Sequence, residues 1–312
     1  MKKKLIALGT LFAICLSLLA TDMVVKQKNG EDWKINVDDV EEVFFEEKAN
    51  IPDDSTVVDT SETFLRFNIL SDSTAEVTID DSGNDCSYFG HDSITIPEKV
   101  RIVGKVYAVT SIGAGAFEYN NKLKSVNIPE GVTNIGAGAF EDCSGLTSIN
   151  IPAGVTNIGE GAFKGCNGLT SVNIPAGVTN IGEGAFKGCS SLTSVNIPES
   201  VTSIEDYAFL DCIKLASISI PESVTSIESY AFYGCSSLKS INIPESVTNI
   251  GEGAFSGCSN LTSIDIPESV TSIGEYAFFY CNSLDVVIDN SKDNVKVGKD
   301  AFYRCKSVTY TK

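Results

Sequence analysis

The stretch "LTSVNIPAGVTNIGEGAFKGC", residues 169–189, decides the fold because it returns along the chain with little change. Its last sixteen letters are also those of residues 151–166, which lie 23 positions earlier. A fixed period of about 20–50 residues indicates a solenoid, in which each repeat forms one coil. The dipeptide Ala-Phe follows the same period, with seven steps of 23 residues and a last step of 24, at Phe117, Phe140, Phe163, Phe186, Phe209, Phe232, Phe255, Phe278 and Phe302.

The first part of each repeat has the pattern of a short β-strand. Val172 and Ile174 alternate with Ser171 and Asn173, which is the two-residue period of a strand with one buried face. Pro175 ends the strand, because proline has no amide hydrogen to donate to a β-ladder.

The second part of each repeat turns the chain, with room for another short strand near Val178 and Ile181. After Gly182, apolar positions recur at i, i+3/i+4 and i+7, which predicts about two helical turns. We therefore expect an α/β solenoid of about nine 23-residue coils. A parallel β-sheet would form its inner face, short helices its outer face, and a β-rich cap its N-terminal end. The helical spacing is carried by Ala185, Phe186, Cys189 and Leu192.

The repeated pattern resembles the BspA-type (treponemal-type) leucine-rich repeats of bacterial surface proteins, over about residues 94–310. The resemblance implies a leucine-rich-repeat solenoid that is exported to the cell surface or secreted. It also implies a non-catalytic role in adhesion to host matrix proteins, mucins or other cells.

The chain divides by composition into an exported leader, two connecting segments and the repeats. Its first residues, "MKKKLIALGTLFAICLSLLA", have the basic start and apolar run of a signal peptide. A lipid anchor at Cys15 is the alternative, although the bulky Ile14 before it argues against one. We expect a signal peptide at 1–20, a β-hairpin segment at 21–47, a linker at 48–62, a cap with a first long coil at 63–110, and the solenoid with a degenerate C-terminal coil at 111–312.

The acidic charge limits the classes of partner. The formal net charge is −18, and removal of the three leader lysines makes it −21. Nucleic acids and anionic membrane surfaces would repel such a chain. We therefore expect an extracellular protein or glycan ligand, no nucleic acid, membrane contact only through a lipid anchor, and a monomer.

No pattern in the sequence indicates catalysis, a cofactor or a metal site. The single histidine, His91, is better explained by a surface role in the cap, and no nucleophile-elbow, Walker or zinc-protease motif is present. The acidic segment 79–86 lacks the spacing of a calcium loop. A column of exposed glutamates leaves divalent-ion binding open as a weaker alternative. It comprises Glu199, Glu222, Glu245 and Glu268, with Glu205, Glu228, Glu252 and Glu275 on another edge.

One cysteine per coil forms a further column. Equivalent side chains in adjacent coils are about as far apart as the coils, roughly 4.8 Å for parallel strands. That distance exceeds the Cβ separation of about 3.5–4.5 Å in a disulfide. We therefore predict small buried thiols that fill the core, at Cys143, Cys166, Cys189, Cys212, Cys235, Cys258, Cys281 and Cys305.

Two sets of side chains are candidates for ligand binding. Later coils replace glycine and lysine beside Ala-Phe with aromatic residues, which fit an interaction site or a cap over the last coils. The strand face instead carries serine and asparagine, which suit a glycan or an extended polypeptide or simply a solvated face. An architectural or spacer protein without a specific ligand is the alternative function. The candidates are Tyr207, Tyr230, Tyr233, Tyr276, Phe279 and Tyr280 on the outer edge, and Ser171, Asn173, Ser194, Asn196, Ser240 and Asn242 on the strand face.

Overall fold

The computed structural model describes residues 57–78 and 90–312, together with the backbone of four strands nearer the N-terminus. The chain forms two compact units, Met1–Ser55 and Thr56–Lys312. The lipid-anchor alternative at Cys15, most of the predicted leader and linker, and the acidic segment 79–86 with its Cys86 lie outside the described residues. Within the part of the chain that the structure describes, no helix is long and apolar enough to cross a membrane.

The first unit contains two pairs of strands. β1 (Lys3–Ala7) pairs in parallel with β4 (Val40–Phe45). β2 (Asp22–Lys26) pairs in antiparallel fashion with β3 (Asp32–Asn36), with Val24 opposite Lys34. This second pair falls within the 21–47 segment, where the sequence predicts a hairpin.

The second unit begins with β-strands that cover the first coil. They are β5 (Val57–Asp59), β6 (Arg66–Ile69), β7 (Thr74–Thr78), β8 (Ser93–Thr95), β9 (Lys99–Ile102) and β10 (Lys105–Ile112), with one 3-10 turn at Thr60–Glu62. β6 pairs antiparallel with β7, β9 pairs antiparallel with β10, and β7 lies parallel to β10. The side chains of Ala75, Val77 and Val100 are fully buried. These strands therefore close the apolar interior of the solenoid at its N-terminal end.

Most coils then contribute to two parallel ladders. The first is interrupted at 148–150 and between Ser240 and Ser263, and the second between Ile181 and Ser203. The first ladder begins at β8, with Ser-Ile-Thr, and carries Ser-Val-Asn in the three-residue strands that follow. The central residue of each is buried while its neighbours are exposed. Parallel bridges from Asn196 to Ser219 and from Ser217 to Ser240 continue it through the middle coils. Its later strands are β11 (Ser125–Asn127), β14 (Ser171–Asn173), β16 (Ser194–Asn196), β20 (Ser263–Ile266), β22 (Asp285–Ile288) and β24 (Ser307–Tyr310).

The second ladder follows the proline turn and uses two residues per coil. Paired residues lie 23 positions apart, as in Asn134 with Asn157 and Asn157 with Asn180. The Asn157 side chain donates to the Asn134 Oδ1 at 2.8 Å, so side-chain amides reinforce the backbone bonds. The strands are β12 (Asn134–Ile135), β13 (Asn157–Ile158), β15 (Asn180–Ile181), β17 (Ser203–Ile204), β18 (Ser226–Ile227), β19 (Asn249–Ile250), β21 (Ser272–Ile273) and β23 (Lys296–Val297).

The outer arc of each coil consists of turns, and the prediction of short helices there is wrong. No α-helix occurs in residues 57–78 and 90–312. The amides of Gly184, Phe186 and Gly188 donate to carbonyls of the next coil at 2.7–2.9 Å, rather than four residues back within their own coil. Gly184 and Gly188 also have φ of 58° and 73°, outside the right-handed helical region. The intervening amides close i to i+3 turns, which reproduce the apolar spacing of a helix.

The core is a stack of phenylalanine rings along the solenoid. Neighbouring ring centroids are 5.2–5.6 Å apart and their planes differ by at most 12°. The rings from Phe117 to Phe278 are almost fully buried, whereas Phe302 in the last coil is half-buried. The stack confirms that one residue type fills the same site in every coil.

The cysteine column packs beside this stack as free thiols. Seven of the eight are buried, and Cys305 in the last coil is half-buried, which confirms the prediction of small buried side chains. The thiols also have partners that the sequence did not reveal. The Sγ of Cys189 donates to the Phe163 carbonyl at 3.2 Å, and each other cysteine of the column makes the equivalent bond. Burial raises the pKa of the Cys189 thiol to about 12.

Candidate binding surface

The backbone of the outer arc has a left-handed residue immediately before each Ala-Phe. We call these positions the glycine–tyrosine column. Of the nine positions, glycine fills five and tyrosine three, with φ of 56–62°, and Asp300 fills the last with φ of 53°. A left-handed conformation costs an L-residue about 1–2 kcal/mol, so only glycine adopts it freely. The column comprises Gly115, Gly138, Gly161, Gly184, Tyr207, Tyr230, Gly253 and Tyr276, and ends at Asp300.

Two of its tyrosines form a first aromatic cluster with Tyr233. The rings of Tyr207 and Tyr230 stack at 5.5 Å with an interplanar angle of 3°, and Tyr233 meets Tyr230 edge-on at 6.0 Å. The Tyr230 hydroxyl donates to the Glu252 carboxylate, and this bond raises the pKa of Tyr230 to about 12. Lys187 Nζ lies 5.2 Å from the Tyr207 ring centroid. Tyr233 is 40% exposed, so the cluster presents apolar ring surface to solvent.

A second aromatic cluster occupies the last two coils. Phe279 lies 5.3 Å from Tyr276, 4.5 Å from Tyr280 and 5.1 Å from Tyr303, measured between ring centroids. The Arg304 guanidinium lies 5.1 Å from the Tyr280 ring centroid and 5.7 Å from that of Tyr303. Tyr280 and Tyr303 are more than 40% exposed. This cluster therefore combines exposed rings with a cation, as interface anchors commonly do.

The six predicted aromatic residues thus form two groups rather than one continuous patch. The coil between them carries Gly253 and Ser256, and Ser256 is buried. A Cβ atom built at Gly253 would lie 2.5 Å from the Tyr230 ring, so that ring lies over the glycine.

The earlier coils have a groove where the later coils have tyrosines. This glycine groove has a volume of about 520 Å³ and includes the four consecutive glycines of the column in its lining. Tyr207 takes the next place in the column and bounds the groove. The charged lining residues are Glu118, Glu141, Glu160, Lys164, Glu183 and Lys187.

The charges in the glycine groove are partly paired. Lys164 Nζ lies 2.6 Å from Glu141 Oε1, and this hydrogen bond raises the pKa of Lys164. Within residues 57–78 and 90–312, the carboxylates of Glu160 and Glu183 accept no hydrogen bond from a protein donor. The groove therefore presents both acceptors and donors to solvent.

The strand-face candidates lie together on the first ladder. Ser171 and Asn173 in β14 pair in register with Ser194 and Asn196 in β16, and all four are exposed. A shallow depression of about 490 Å³ includes Asn173 and Asn196, and another of about 330 Å³ includes Ser240 and Asn242. The ladder is therefore a shallow face whose exposed serine and asparagine side chains alternate with isoleucine.

The described residues contain no arrangement suited to metal binding. In residues 57–78 and 90–312, no group of three or more His, Cys, Asp or Glu side chains is placed to hold a metal ion. His91 stacks on Phe64 at 4.1 Å, at the edge of the cap.

The glycine groove is the feature that sequence reasoning missed. The sequence shows glycine before Ala-Phe in the first four full coils and tyrosine in the fifth. The change from glycine to tyrosine indicated added aromatic rings in the later coils. It also indicates a groove in the earlier coils, where those side chains are missing.

Comparison with known proteins assigns the repeat family. The model of the BspA type leucine-rich repeat region matches residues 88–215 and 179–309, with six copies. The chain belongs to this BspA-type family. A leucine-rich repeat protein from Bacteroides ovatus is 31% identical with a TM-score of 0.61, over 79% of this chain and 69% of that one. A T. pallidum leucine-rich repeat protein is 29% identical with a TM-score of 0.55, over 64% of this chain and 88% of that one.

No curated protein matches the chain significantly. The BspA-type match and the two similar structures indicate no enzyme family.

Proposed function

We propose that the chain is an exported, non-catalytic binding module of the bacterial surface, which recognises an extracellular protein or glycan through its outer arc. The BspA-type repeats supply a rigid scaffold, and a leader at residues 1–20 would direct the chain out of the cell. The outer arc supplies the side chains that differ from coil to coil.

The observation that carries this proposal is tyrosine at left-handed positions. Tyr207, Tyr230 and Tyr276 have φ of 56–57°, a conformation in which five other coils use glycine. The side chain at this position is not needed to build a coil, because five coils form without one. Tyrosine is among the residues that dominate the energetics of protein interfaces. The rings therefore fit a role in recognition.

The test uses substitutions that the repeat itself already contains. In the double variant Tyr207→Gly/Tyr230→Gly, coils five and six acquire the residue that four earlier coils have at the same φ, so the fold should be retained. The purified chain and this variant would be applied to host matrix proteins, mucins and glycan arrays. A second variant, Ser194→Ala/Asn196→Ala, removes polar groups from the strand face.

The binding results of the two variants would show whether the ligand binds the outer arc or the strand face. Saturable binding by the wild-type chain that is lost only in the tyrosine variant would support the outer arc as the recognition surface. Loss only in the strand-face variant would move the site to the Ser-Asn ladder. Circular dichroism of each variant would show whether it is folded.

An architectural role is the second candidate, and the continuous core favours it. Nine stacked phenylalanines and the backbone hydrogen bonds between coils join the repeats into one unit that could act as a spacer without a ligand. A folded wild-type chain that binds nothing across the panel would favour this role over recognition.

A further inference from the structure

We propose that the glycine groove is a channel for a neutral, extended, β-1,4-linked oligosaccharide. This inference rests on the proposed binding function and names the ligand class and a site for it. The groove is separate from the two aromatic clusters except at Tyr207, which belongs to the first cluster and bounds the groove.

The floor of the groove argues against a peptide that adds as a β-strand. Strand addition needs free backbone donors and acceptors along an edge. The amides of Gly138, Gly161 and Gly184 already donate to carbonyls of the next coil at 2.8 Å. The carbonyls of the same glycines accept the i+3 amides of their turns at 2.9 Å. Recognition in the groove must therefore depend on side chains and on the shape of the floor.

The spacing of the coils also distinguishes the two kinds of chain. Along the groove, the underlying phenylalanine rings are 5.4–5.5 Å apart, which measures the repeat of the lining groups. An extended peptide advances about 3.3–3.4 Å per residue and about twice that per same-side residue, so its side chains would drift out of register with the coils. An extended β-1,4-linked pyranose chain advances by close to one coil per sugar ring. Successive rings of such a chain are turned over relative to each other, so every second ring would meet an equivalent set of groups two coils further on.

The lining carries the hydrogen-bonding groups that sugar hydroxyls need. Glu160 and Glu183 offer carboxylate oxygens that can accept from hydroxyls, and Lys164 and Lys187 offer ammonium groups that can donate to them. Charged partners make the stronger hydrogen bonds. The glycines add no side chain of their own to the floor, and at Gly161 and Gly184 the stems of Lys164 and Lys187 lie over the backbone, within 3.9 Å of a Cβ built there.

Tyr207 supplies an apolar platform at the end of the channel. Tyr230, in the following coil, stacks on one face of its ring. The other face is directed to the preceding coil, where Lys187 lies 5.2 Å from the ring centroid. A tyrosine face can pack against the C–H face of a pyranose ring, while the lysine ammonium reaches its hydroxyls.

The charge of the groove selects a neutral glycan over an anionic one. Four glutamates and two lysines line it, and the whole chain has a formal net charge of −18. A sulfated or uronic-acid chain would approach against this field.

The test fills the channel with a side chain that the fold accepts. Gly184 has φ of 58°, nearly that of Tyr207 at 57°, and a Cβ built there meets only Lys187 carbons at 3.7–3.9 Å. In Gly184→Tyr the new ring should extend the tyrosine stack into the groove. Ala153→Tyr adds the same ring at an exposed position outside the groove and serves as the matched control. Glu183→Gln removes one carboxylate without adding bulk.

Titration calorimetry would measure binding of cellotetraose, chitotetraose and a hyaluronan tetrasaccharide to the full chain. We expect saturable binding of a neutral tetramer, weakened at least about tenfold in Gly184→Tyr, weakened less in Glu183→Gln, and unchanged in Ala153→Tyr. Preference for the hyaluronan fragment, equal binding by all variants, or no binding of either neutral tetramer would overturn the proposal. In that last case, binding to a protein on the wider panel would leave the proposed function standing while this ligand class is excluded.

Discussion

The left-handed φ of the glycine–tyrosine column can be tested by comparing two substitutions at one residue. Tyr230 has φ of 56°, and both Tyr230→Ala and Tyr230→Gly remove its ring. Alanine retains the left-handed cost of about 1–2 kcal/mol. Glycine avoids that cost but loses about 0.5–1 kcal/mol more in chain entropy on folding. The glycine variant should therefore be the more stable by about 0.5–1 kcal/mol.

Tyr233 provides the matched control in the same turn. It belongs to the same aromatic cluster, but its φ is not positive. There the usual order applies, and Tyr233→Ala should be more stable than Tyr233→Gly by about 0.5–1 kcal/mol. The order of alanine and glycine should thus reverse between two positions three residues apart.

Urea unfolding followed by circular dichroism would give the free energies of unfolding of the four variants. For a chain of this size, a difference of about 1 kcal/mol also corresponds to roughly 2–4 °C in the melting temperature. The m-value should be the same for all four, so that midpoints can be compared directly. If alanine is the more stable residue at both positions, the left-handed backbone at Tyr230 is refuted.

Three further predictions concern the core. Phe209→Ala should lower the free energy of unfolding by about 3–5 kcal/mol because it leaves a cavity between two stacked rings, whereas Phe302→Ala at the half-buried end should cost less in the same urea assay. The Cys189 thiol, with its pKa raised to about 12, should resist iodoacetamide at pH 8 in the folded chain and react in urea, as peptide mass spectrometry would show. Its native pKa exceeds the ordinary 9.0, so above pH 9 the unfolded chain loses a proton that the native chain keeps. The free energy of unfolding should then fall by about 1.4 kcal/mol per pH unit for this thiol. Cys189→Ala should show a correspondingly shallower fall between pH 9 and 12. Equal slopes for the two chains would contradict the raised pKa of Cys189.

The strand and the solenoid could be predicted from the sequence because both depend on local pattern and period. Ser171, Val172 and Asn173 alternate as a strand does, and the structure places β14 there. The helices were predicted wrongly because Phe186, Cys189 and Leu192 satisfy the spacing of a helix and of consecutive i to i+3 turns alike. The deciding bonds, such as the one from the Phe186 amide to the Ala208 carbonyl, join different coils. The sequence of a single repeat therefore does not show these hydrogen bonds, because their donor and acceptor lie in different repeats.

For the cysteine column, too, burial could be predicted from the repeat, whereas the bonding partner of the thiol could not. Its burial follows from the apolar period of the repeat, and the structure confirms it at Cys143 and Cys189. The bond from each thiol to a phenylalanine carbonyl of the preceding coil depends on the stacking distance between coils. The expected distance between cysteines of adjacent coils argued against a disulfide, but it did not identify the carbonyl that accepts the hydrogen bond of the thiol.

Of the candidate surfaces, the sequence predicted the tyrosine rings but not the glycine groove. Comparing coils column by column drew attention to the added rings of Tyr207 and Tyr230. The groove beside them is made by side chains that are absent, and its extent depends on how Lys164 and Glu141 fold over the glycines. A sequence pattern shows which side chains are present. It does not show the groove that forms where Gly161 and Gly184 have none.

Tyrosine is not the residue that the left-handed backbone of the column favours. At Tyr207 the left-handed backbone costs about 1–2 kcal/mol. Its stacking on Tyr230 contributes about 0.5–1.5 kcal/mol, and the nearby Lys187 about 0.5–1 kcal/mol. These two gains offset the backbone cost and come in addition to the ring area that the half-buried Tyr207 buries. Glycine forms the same turn one coil earlier at Gly184. Beyond the fold, Tyr207 adds a half-buried aromatic ring at the end of the glycine groove, and our proposal is that a ligand packs against it.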